Sequence, residues 1–259
     1  MSDAIPVFTT PSPRIHRVPV DRPWTWLGRG WRDMLDAPRP SFSFGIFVAA
    51  LSILISAVTL SSGLVSLLLP LTAGFFFVAP LLAVGLYEIS RRNAAGLATS
   101  LEDTVRAVQR NGSQLALMGL VLMLFHLAWI RIATLLFALF FQGTTAVPLD
   151  RLVEMLLFSP ASLPFLITGA VIGAVLAAIV FAISAISIPM LLDRDTSNVF
   201  SAIATSWTAV QVNWPAMALW AALIVMFVLL GFVTFFLGLI VVLPLIGHAT
   251  WHAYKDMVE

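Results

Sequence analysis

The chain has 259 residues, of which 60% are hydrophobic and only 10% are charged. A water-soluble domain is about half apolar and about a quarter charged, so this composition excludes a soluble globular protein. The net charge of +1 excludes the strongly basic surface of most nucleic-acid-binding proteins, and the absence of cysteine excludes disulfides and thiolate metal sites. Lipid must therefore cover most of the surface, and the composition predicts an all-α polytopic membrane protein.

The chain begins with a segment rich in proline and arginine. Residues 1–20 contain four prolines and lack any long apolar run. Segments of this composition are flexible or extended. We therefore predict a flexible cytoplasmic tail over residues 1–20 and a single membrane domain over residues 21–259.

Six apolar runs follow the tail. A helix needs about 20 apolar residues to cross about 30 Å of hydrocarbon. The runs are Phe42–Leu60, Leu64–Tyr87, Gln114–Phe141, Pro164–Leu192, and a stretch from Trp214 to about Ala249 that is divided near Gly231. Division of the last stretch leaves its two helices rather short. We predict six transmembrane helices, arranged as three hairpins.

An internal repeat relates the three hairpins. The sequence AVQRN at Ala107–Asn111 recurs as AVQVN at Ala209–Asn213, in each case just before a membrane helix. Pro80-Leu81 before Tyr87-Glu88 likewise matches Pro244-Leu245 before Trp251-His252, at identical spacing. Self-similarity of this kind predicts repeated structural units. The predicted units cover about residues 21–92, 93–194 and 195–259.

Each unit opens with a predicted amphipathic helix on the cytoplasmic side. Apolar residues recur there at helical spacing: Trp24, Leu27, Trp31 and Leu35; then Leu97, Leu101, Val105 and Val108; then Ile203, Trp207, Val210 and Trp214. This pattern is typical of helices that lie in the headgroup layer, and equally of helices that pack on protein. The candidate interfacial residues are Trp24, Trp31, Trp207, Trp214 and Trp251.

Basic residues are concentrated on one side of the predicted helices. Twelve of the 14 Lys and Arg residues precede helix one, lie between helices two and three, or follow helices four and six. On the opposite side, only Arg151 falls clearly in a loop. Cytoplasmic loops hold an excess of Lys and Arg. We therefore predict that both termini are cytoplasmic.

Small residues mark one face of the fourth membrane helix. Gly169, Gly173 and Ala177 are spaced four residues apart, and a second ridge of alanines begins at Ala170. Such faces let helix backbones approach closely inside a membrane. We predict that this helix forms the centre of the bundle, and the alternative is the seam of a homodimer.

Two ionisable residues fall inside the predicted membrane helices. Insertion of such a group costs about 2.5 to 3.5 kcal/mol at the helix centre, so each is a candidate functional residue. His126 lies about 18 Å from Gln114, near the midplane. It is either a neutral histidine bonded to a backbone or hydroxyl group, or a proton relay or ligand. Arg131 lies nearer the far headgroups, where its side chain can reach the interface beside Trp129.

Three further polar residues lie near the cytoplasmic ends of the second and sixth predicted helices. His248 and His252 are one helical turn apart and could share a metal ion, but a metal site normally needs a third protein ligand, such as Asp256 or Glu88. Glu88 could also join His252 in a ring of polar groups. We interpret the histidines as interfacial residues, and we predict no metal site, no cofactor and no catalytic residue. Walker, G-x-S-x-G, H-E-x-x-H and EF-hand motifs are absent from the sequence.

Three segments together resemble a known family. They are Pro80–Arg92 (PLLAVGLYEISRR), Gly30–Asp33 (GWRD) and Leu243–Tyr254 (LPLIGHATWHAY). The chain is similar, over about Trp24 to Tyr254, to the uncharacterised bacterial integral-membrane family called domain of unknown function 2189. The resemblance implies an inner-membrane protein of Gram-negative bacteria with no assigned activity.

These features favour a non-enzymatic accessory, scaffold or assembly component of a larger inner-membrane complex. Its expected partners are membrane lipid and either another membrane protein or a second copy of the chain, with no nucleic acid. One alternative is a carrier or channel for an apolar or small neutral solute. Another is a metal or haem protein that uses His248 and His252.

Overall fold

The computed structural model describes residues 13–64, 67–141, 154–156, 158–194 and 197–259. Eleven helices can be delimited within these ranges, and the described residues form no sheet, so the predicted all-α fold is confirmed there. The helices are α1 (Arg22–Asp36), α2 (Pro38–Ser61), α3 (Leu68–Leu82), α4 (Val84–Ala94), α5 (Leu101–Arg110), α6 (Gly112–Phe140), α7 (Ser162–Ser184), α8 (Ser187–Asp193), α9 (Val199–Val212), α10 (Trp214–Val233) and α11 (Leu239–Met257).

Five stretches of the described chain are long and apolar enough to cross a membrane. They are Pro38–Ser61, Pro70–Ala94, Gly112–Phe140, Ser162–Asp193 and Trp214–Val233. Each overlaps one of the first five predicted spans, and the second and fourth are built from two helices each, α3–α4 and α7–α8. The predicted sixth helix, α11, is not among the five, since the second half of α11 is rich in polar residues.

A single non-helical residue joins each short helix to the long helix that follows it. These joints are Ala37 between α1 and α2, Asn111 between α5 and α6, and Asn213 between α9 and α10. Their φ angles are −130°, −132° and −114°, and their ψ angles are 63°, 47° and 29°. Each of the three joints therefore directly precedes a long apolar helix.

Helix α11 occupies the centre of the bundle. It packs against α1, α2, α4 and α10, and most of its residues are buried. The small-residue pattern had predicted α7 for this place. Instead, α7 exposes a broad apolar face that includes Ile167, Val171 and Val175. The helix packs internally at Gly173, where a Cβ would lie 3.1 Å from the Trp129 ring, and along its C-terminal end, where Val180 and Ile183 are buried.

The hairpin of α10 and α11 reaches only the middle of the bundle. Ile240, at the start of α11, packs against Gly45, and α2 continues from Gly45 to Ser61, which is about 24 Å at 1.5 Å per residue. Near the tip of the hairpin, Phe232 packs against Phe75 in the middle of α3, with ring centroids 5.6 Å apart. Helix α11 therefore does not extend as far as α2 does.

Residues 13–20 are docked onto the C-terminal end of the chain. Ile15 forms an antiparallel bridge with Val258, and the His16 amide donates to the Met257 carbonyl at 2.9 Å. The Asn213 side chain accepts a hydrogen bond from the Val18 amide at 2.8 Å. This arrangement differs from the flexible tail predicted for residues 1–20, because backbone pairing with a distant segment leaves no trace in local composition. Residues 1–12 lie outside the described residues.

Candidate functional site

The polar side chains indicated by the sequence lie in two places. One group, the polar junction, is formed by Asp33, Ser41, Ser90, His248 and His252, where α1, α2, α4 and α11 meet. The other place is the middle of the bundle, around His126.

His248 connects three helices at the centre of the polar junction. Its imidazole is fully buried; its Nε2 atom lies 3.0 Å from the Ser41 hydroxyl of α2, and its Nδ1 atom lies 2.8 Å from the Ser90 hydroxyl of α4. Both ring nitrogens therefore have a hydrogen-bond partner inside the protein. A buried imidazole satisfied in this way holds neighbouring helices in register.

Asp33 extends the network to α1. Its carboxylate lies 2.9 Å from His252 Nε2, and its backbone carbonyl accepts a hydrogen bond from the Asn93 amide at 3.2 Å. The pKa of Asp33 lies below its ordinary value: burial alone would raise the pKa, but hydrogen bonds with His252 and Ser90 and the nearby imidazole of His248 lower it by more.

The ionised state of Asp33 determines the direction of the hydrogen bonds. A carboxylate only accepts, so the Ser90 hydroxyl donates to Asp33 and is left to accept from His248 Nδ1–H. The unprotonated Nε2 of His248 then accepts from the Ser41 hydroxyl. The junction is thus a directional chain from Ser41 through His248 and Ser90 to Asp33.

Replacement of Asp33 by asparagine should reduce the pH dependence of the free energy of unfolding in the acidic range. A lowered folded-state pKa contributes stability above the unfolded-state pKa of about 3.9, and that contribution is lost as the pH falls through the folded value. We expect Asp33→Asn to be less stable than the wild type at pH 7 and to lose less stability between about pH 5 and pH 3. Thermal unfolding in detergent across this range measures both effects.

Asp36 provides the matched control for this substitution. It lies on the same helix but is exposed, so Asp36→Asn should leave the free energy of unfolding at pH 7 within about 0.5 kcal/mol of the wild type. An acid dependence of Asp33→Asn equal to that of the wild type would contradict the assignment.

Glu88 forms a second polar contact at this end of the bundle. Its buried carboxylate accepts two hydrogen bonds from the Arg91 guanidinium, at 2.7 and 2.8 Å, and lies 3.6 Å from Arg110 at the end of α5. The bidentate pair with Arg91 neutralises the buried charge within α4, and the contact with Arg110 links α4 to α5. Glu88 does not contact His252 in any described interaction, so the structure does not bring the proposed polar ring together.

Asp256 joins the C-terminal end of α11 to α1. It accepts hydrogen bonds from Arg22 at 2.7 Å, from the Trp26 indole at 2.9 Å and from Arg29 at 3.0 Å. Burial raises the pKa of Asp256, but the hydrogen bonds from Arg22 and Trp26 and the charge of Arg29 lower it by more, so the carboxyl is ionised. The sequence indicated Asp256 only as a possible metal ligand, and no local signal identifies its partners some 230 residues away.

The two histidines of α11 do not face a common ligand site. His248 is bonded to Ser41 and Ser90, whereas His252 is bonded to Asp33. Among the residues that the structure describes, no three His, Asp or Glu side chains form a group that could hold a metal ion. The contacts of both histidines are instead those of residues that connect helices.

His126 lies at the middle of the bundle, 14 residues from each end of α6. Its ring packs edge-on against Phe77, with centroids 6.4 Å apart, and fits against the backbone of Gly74, where a Cβ would overlap the imidazole. Its Nδ1 atom is buried against this backbone, and the ring makes a hydrogen bond with the Gly74 backbone.

A cavity of about 220 Å³ reaches His126. It lies between α2, α3, α6 and the tip of the α10–α11 hairpin, and its walls are mainly apolar. Phe75, Phe232 and Phe236 contribute three aromatic rings, and Ser52 contributes one of the few polar side chains. The cavity is partly open, so it is accessible from outside the bundle.

Arg131 and its neighbour Trp129 differ in exposure. Arg131 is exposed on α6, and its reach to the interface stays a prediction. Trp129 is buried, and its indole N–H donates to the Pro70 carbonyl at 3.0 Å. Trp129 therefore connects α6 to α3, a role that its place in an apolar run did not indicate.

Four of the five tryptophans predicted to be interfacial are exposed. Trp24, Trp31, Trp207 and Trp214 have exposed fractions of 57%, 46%, 42% and 67%. Trp251 instead is buried and packs against Tyr254, because it lies on the central helix α11. The short helix α1, which carries Trp24 and Trp31, also has a buried side. Trp26 on that side packs edge-on against Trp220 of α10, with ring centroids 5.9 Å apart.

Comparison with known proteins supports the family resemblance. Residues 68–193 match the family model described as "Predicted integral membrane protein (DUF2189)", and this range runs from the first residue of α3 to the last of α8. No curated protein and no solved structure matches the chain. Over residues 68–193, the chain is therefore similar to this family of predicted integral membrane proteins.

Proposed function

We propose that the protein is a non-enzymatic accessory, scaffold or assembly component of a larger complex in the bacterial inner membrane. One observation supports this proposal above others. The polar side chains considered as candidate catalytic or ligand residues at the polar junction bind one another, whereas a ridge of small residues on α7 faces outward.

The outward ridge consists of Ala170, Ala174 and Ala178, which are all exposed. It is bordered by Val171 and Val175, which are also exposed. Helices associate in membranes through close packing at small residues, because hydrophobic burial provides little driving force there. The ridge therefore suits a transmembrane helix of a partner protein or of a second copy of the chain.

The short helices support a fixed position at the membrane surface. Besides the four exposed tryptophans, α5 turns Leu101, Val105 and Val108 outward. Aromatic and apolar side chains of this kind favour the headgroup layer, where one side of a helix contacts lipid and the other contacts protein. We place α1, α5 and α9 in the cytoplasmic headgroup layer, with both termini in the cytoplasm, and we propose that the α10–α11 hairpin enters from that side and returns to it.

Substitution of Ala174 by phenylalanine should release the partner. A large side chain in the ridge prevents close approach of another helix, while the exposed position leaves the fold of the chain unchanged. We expect the wild type, extracted gently from native membranes at endogenous abundance, to form a particle whose protein mass clearly exceeds the 28.1 kDa of one chain. Native mass spectrometry should show the Ala174→Phe particle reduced to the single chain.

Ala128 provides a matched control, because it is an exposed alanine on the neighbouring helix α6. Ala128→Phe should retain the full particle. A wild-type chain that is extracted without any partner would contradict the accessory role, and a partner retained by Ala174→Phe would contradict the α7 site.

A second candidate function is a carrier for an apolar or small neutral solute. The cavity that reaches His126 favours it, since carriers bind substrates near the midplane. A carrier must open this cavity to both sides of the membrane. The chain has no cysteine, so labelling of a single Ser56→Cys variant with a membrane-impermeant maleimide from each side distinguishes a carrier from a closed protein.

A further inference from the structure

The cavity that reaches His126 lies where the short α10–α11 hairpin leaves a gap in the bundle. Helix α2 continues beyond the tip of the hairpin to Ser61, and α6 continues 14 residues beyond His126 to Phe140. Phe232 and Phe236, which flank the tip, line the cavity together with residues of α2, α3 and α6. An empty space costs stability in proportion to its volume, because the atoms that line it lack packing partners. A molecule that fills this cavity should therefore stabilise the bundle.

The walls of the cavity are mainly apolar, and their polar groups are largely satisfied within the protein. The Thr72 hydroxyl donates to the Leu68 carbonyl at 2.8 Å, and the His126 ring makes a hydrogen bond with the Gly74 backbone. The remaining polar side chains in the walls are two serines of α2. A ligand of this cavity is therefore held by apolar contact and by shape.

The cavity lies along the helices and is narrow. Its lining residues on α2 run from Val48 to Ser56, which is about 12 Å along the helix at 1.5 Å per residue. A volume of about 220 Å³ distributed over this length leaves little width. Such a space suits a flexible hydrocarbon chain that lies parallel to the helices.

The depth of the cavity matches the length of the acyl chains in one leaflet. Ser52, which lines the cavity, lies nine residues before the end of α2 at Ser61, or about 14 Å along the helix. The hydrocarbon core is about 30 Å thick, so the chains of each leaflet span about 15 Å of it. With α2 crossing the bilayer, an extended chain that starts at the membrane surface near Ser61 therefore reaches Ser52.

The aromatic rings in the walls do not outweigh this match. Phe232 packs edge-on against both Phe75 and Phe236, with centroids 5.6 Å apart in each pair. Such surroundings favour an aromatic ligand over an alkyl chain by about two- to twelvefold. Acyl chains, however, are the solvent of the bilayer interior, so their concentration exceeds that of a dissolved ring compound by far more than this factor. Mass action therefore favours a lipid chain as the occupant.

We propose that this cavity binds one acyl chain of a phospholipid whose headgroup lies at the membrane surface near the end of α2. The chain lies along α2 between Ser56 and Val48 and ends against the rings near the hairpin tip. It fills the space that the short third hairpin leaves. The inference rests on the membrane location of the helices and is independent of the accessory role proposed above and of the partner on α7.

Thermal unfolding of the full-length protein in detergent, with added phosphatidylcholines of different chain length, tests the proposal. At equal mole fraction in the micelles, we expect lipid with 16-carbon chains to raise the unfolding midpoint by about 5 °C or more. Lipid with 6-carbon chains cannot reach Ser52, so it should raise the midpoint by less than about 1 °C. Hexadecane has no headgroup that orients the chain, so it should stabilise less than half as much as the 16-carbon lipid.

Variants of α2 separate filling of the cavity from other effects of lipid. Ser56→Phe places a large side chain in the cavity and should remove most of the lipid-induced rise in the midpoint, and the smaller Ser52→Leu should remove part of it. Val58→Phe, on the exposed side of the same helix, should retain the full rise. Native mass spectrometry should find one retained phospholipid on the wild type and on Val58→Phe, and none on Ser56→Phe.

The midpoint of each variant without lipid shows whether it folds, and Ser52→Leu provides the same test if Ser56→Phe does not. The proposal is overturned if the 6-carbon lipid stabilises as much as the 16-carbon lipid, or if the folded cavity variants retain the full lipid-induced rise. It is also overturned if hexadecane stabilises as much as the 16-carbon lipid, since the cavity would then be a site for free apolar solutes, as in the carrier alternative.

Discussion

Replacement of Gly45 by alanine should destabilise the protein by about 1 to 3 kcal/mol. Gly45 lies where α2 crosses α11, and a Cβ there would overlap the backbone of Ile240, whose carbonyl carbon lies only 2.7 Å from the Cβ position. A backbone cannot move aside as a flexible side chain can, so the two helices must separate. Denaturant titration in a fixed detergent measures the change in the free energy of unfolding.

Gly28 provides a control substitution, for which we expect a change in stability of the opposite sign. Gly28 lies on the exposed side of α1, and the described residues leave open space within 4 Å of its Cβ position. Alanine there should stabilise the protein by up to about 1 kcal/mol through helix propensity alone. Equal effects of Gly45→Ala and Gly28→Ala would contradict the close approach of α2 and α11.

The membrane helices could be predicted from the sequence because hydropathy is a local property. The end of α2 was predicted at Leu60 and lies at Ser61, and the start of α10 was predicted and found at Trp214. The depth to which the α10–α11 hairpin reaches could not be predicted in this way. It depends on contacts such as Gly45 with Ile240, which join residues far apart in the chain.

The same limit applies to the polar side chains. The spacing of His248 and His252 correctly placed them on one helix, one turn apart. Their partners, Ser41 and Asp33, lie 207 and 219 residues away, so neither local pattern nor composition could identify them. A metal site and a helix-connecting network have the same signature in the sequence of α11, and only the fold separates the two.

Amphipathic patterns specify that a helix has two sides but not what covers each side. Trp24 and Trp26 lie close together in α1, yet Trp24 is largely exposed and Trp26 is fully buried. Trp251 was predicted to be interfacial, but it is buried. An aromatic residue at a membrane boundary packs equally well against protein. Trp251 is buried because α11 lies at the centre of the bundle.

Loss of the His248 imidazole should produce the second large effect. Leucine at this position removes the acceptor of the Ser41 hydroxyl and the donor to the Ser90 hydroxyl, and both serines are fully buried. Each buried polar group left unsatisfied costs about 1 to 3 kcal/mol, so we expect His248→Leu to lower the free energy of unfolding by about 2 to 4 kcal/mol. The same titration in detergent measures this loss.

A double variant separates the hydrogen bonds from the loss of shape. If unsatisfied hydroxyls cause the destabilisation, Ser41→Ala in the His248→Leu background removes one of them and should recover about 1 kcal/mol, although Ser41→Ala alone destabilises the wild type. His248→Gln, whose amide can both accept from Ser41 and donate to Ser90, should be more stable than His248→Leu. The hydrogen-bonded chain from Ser41 to Asp33 requires the effects of the two substitutions on the free energy of unfolding to be coupled. If these effects are instead strictly additive, His248 acts only by filling space.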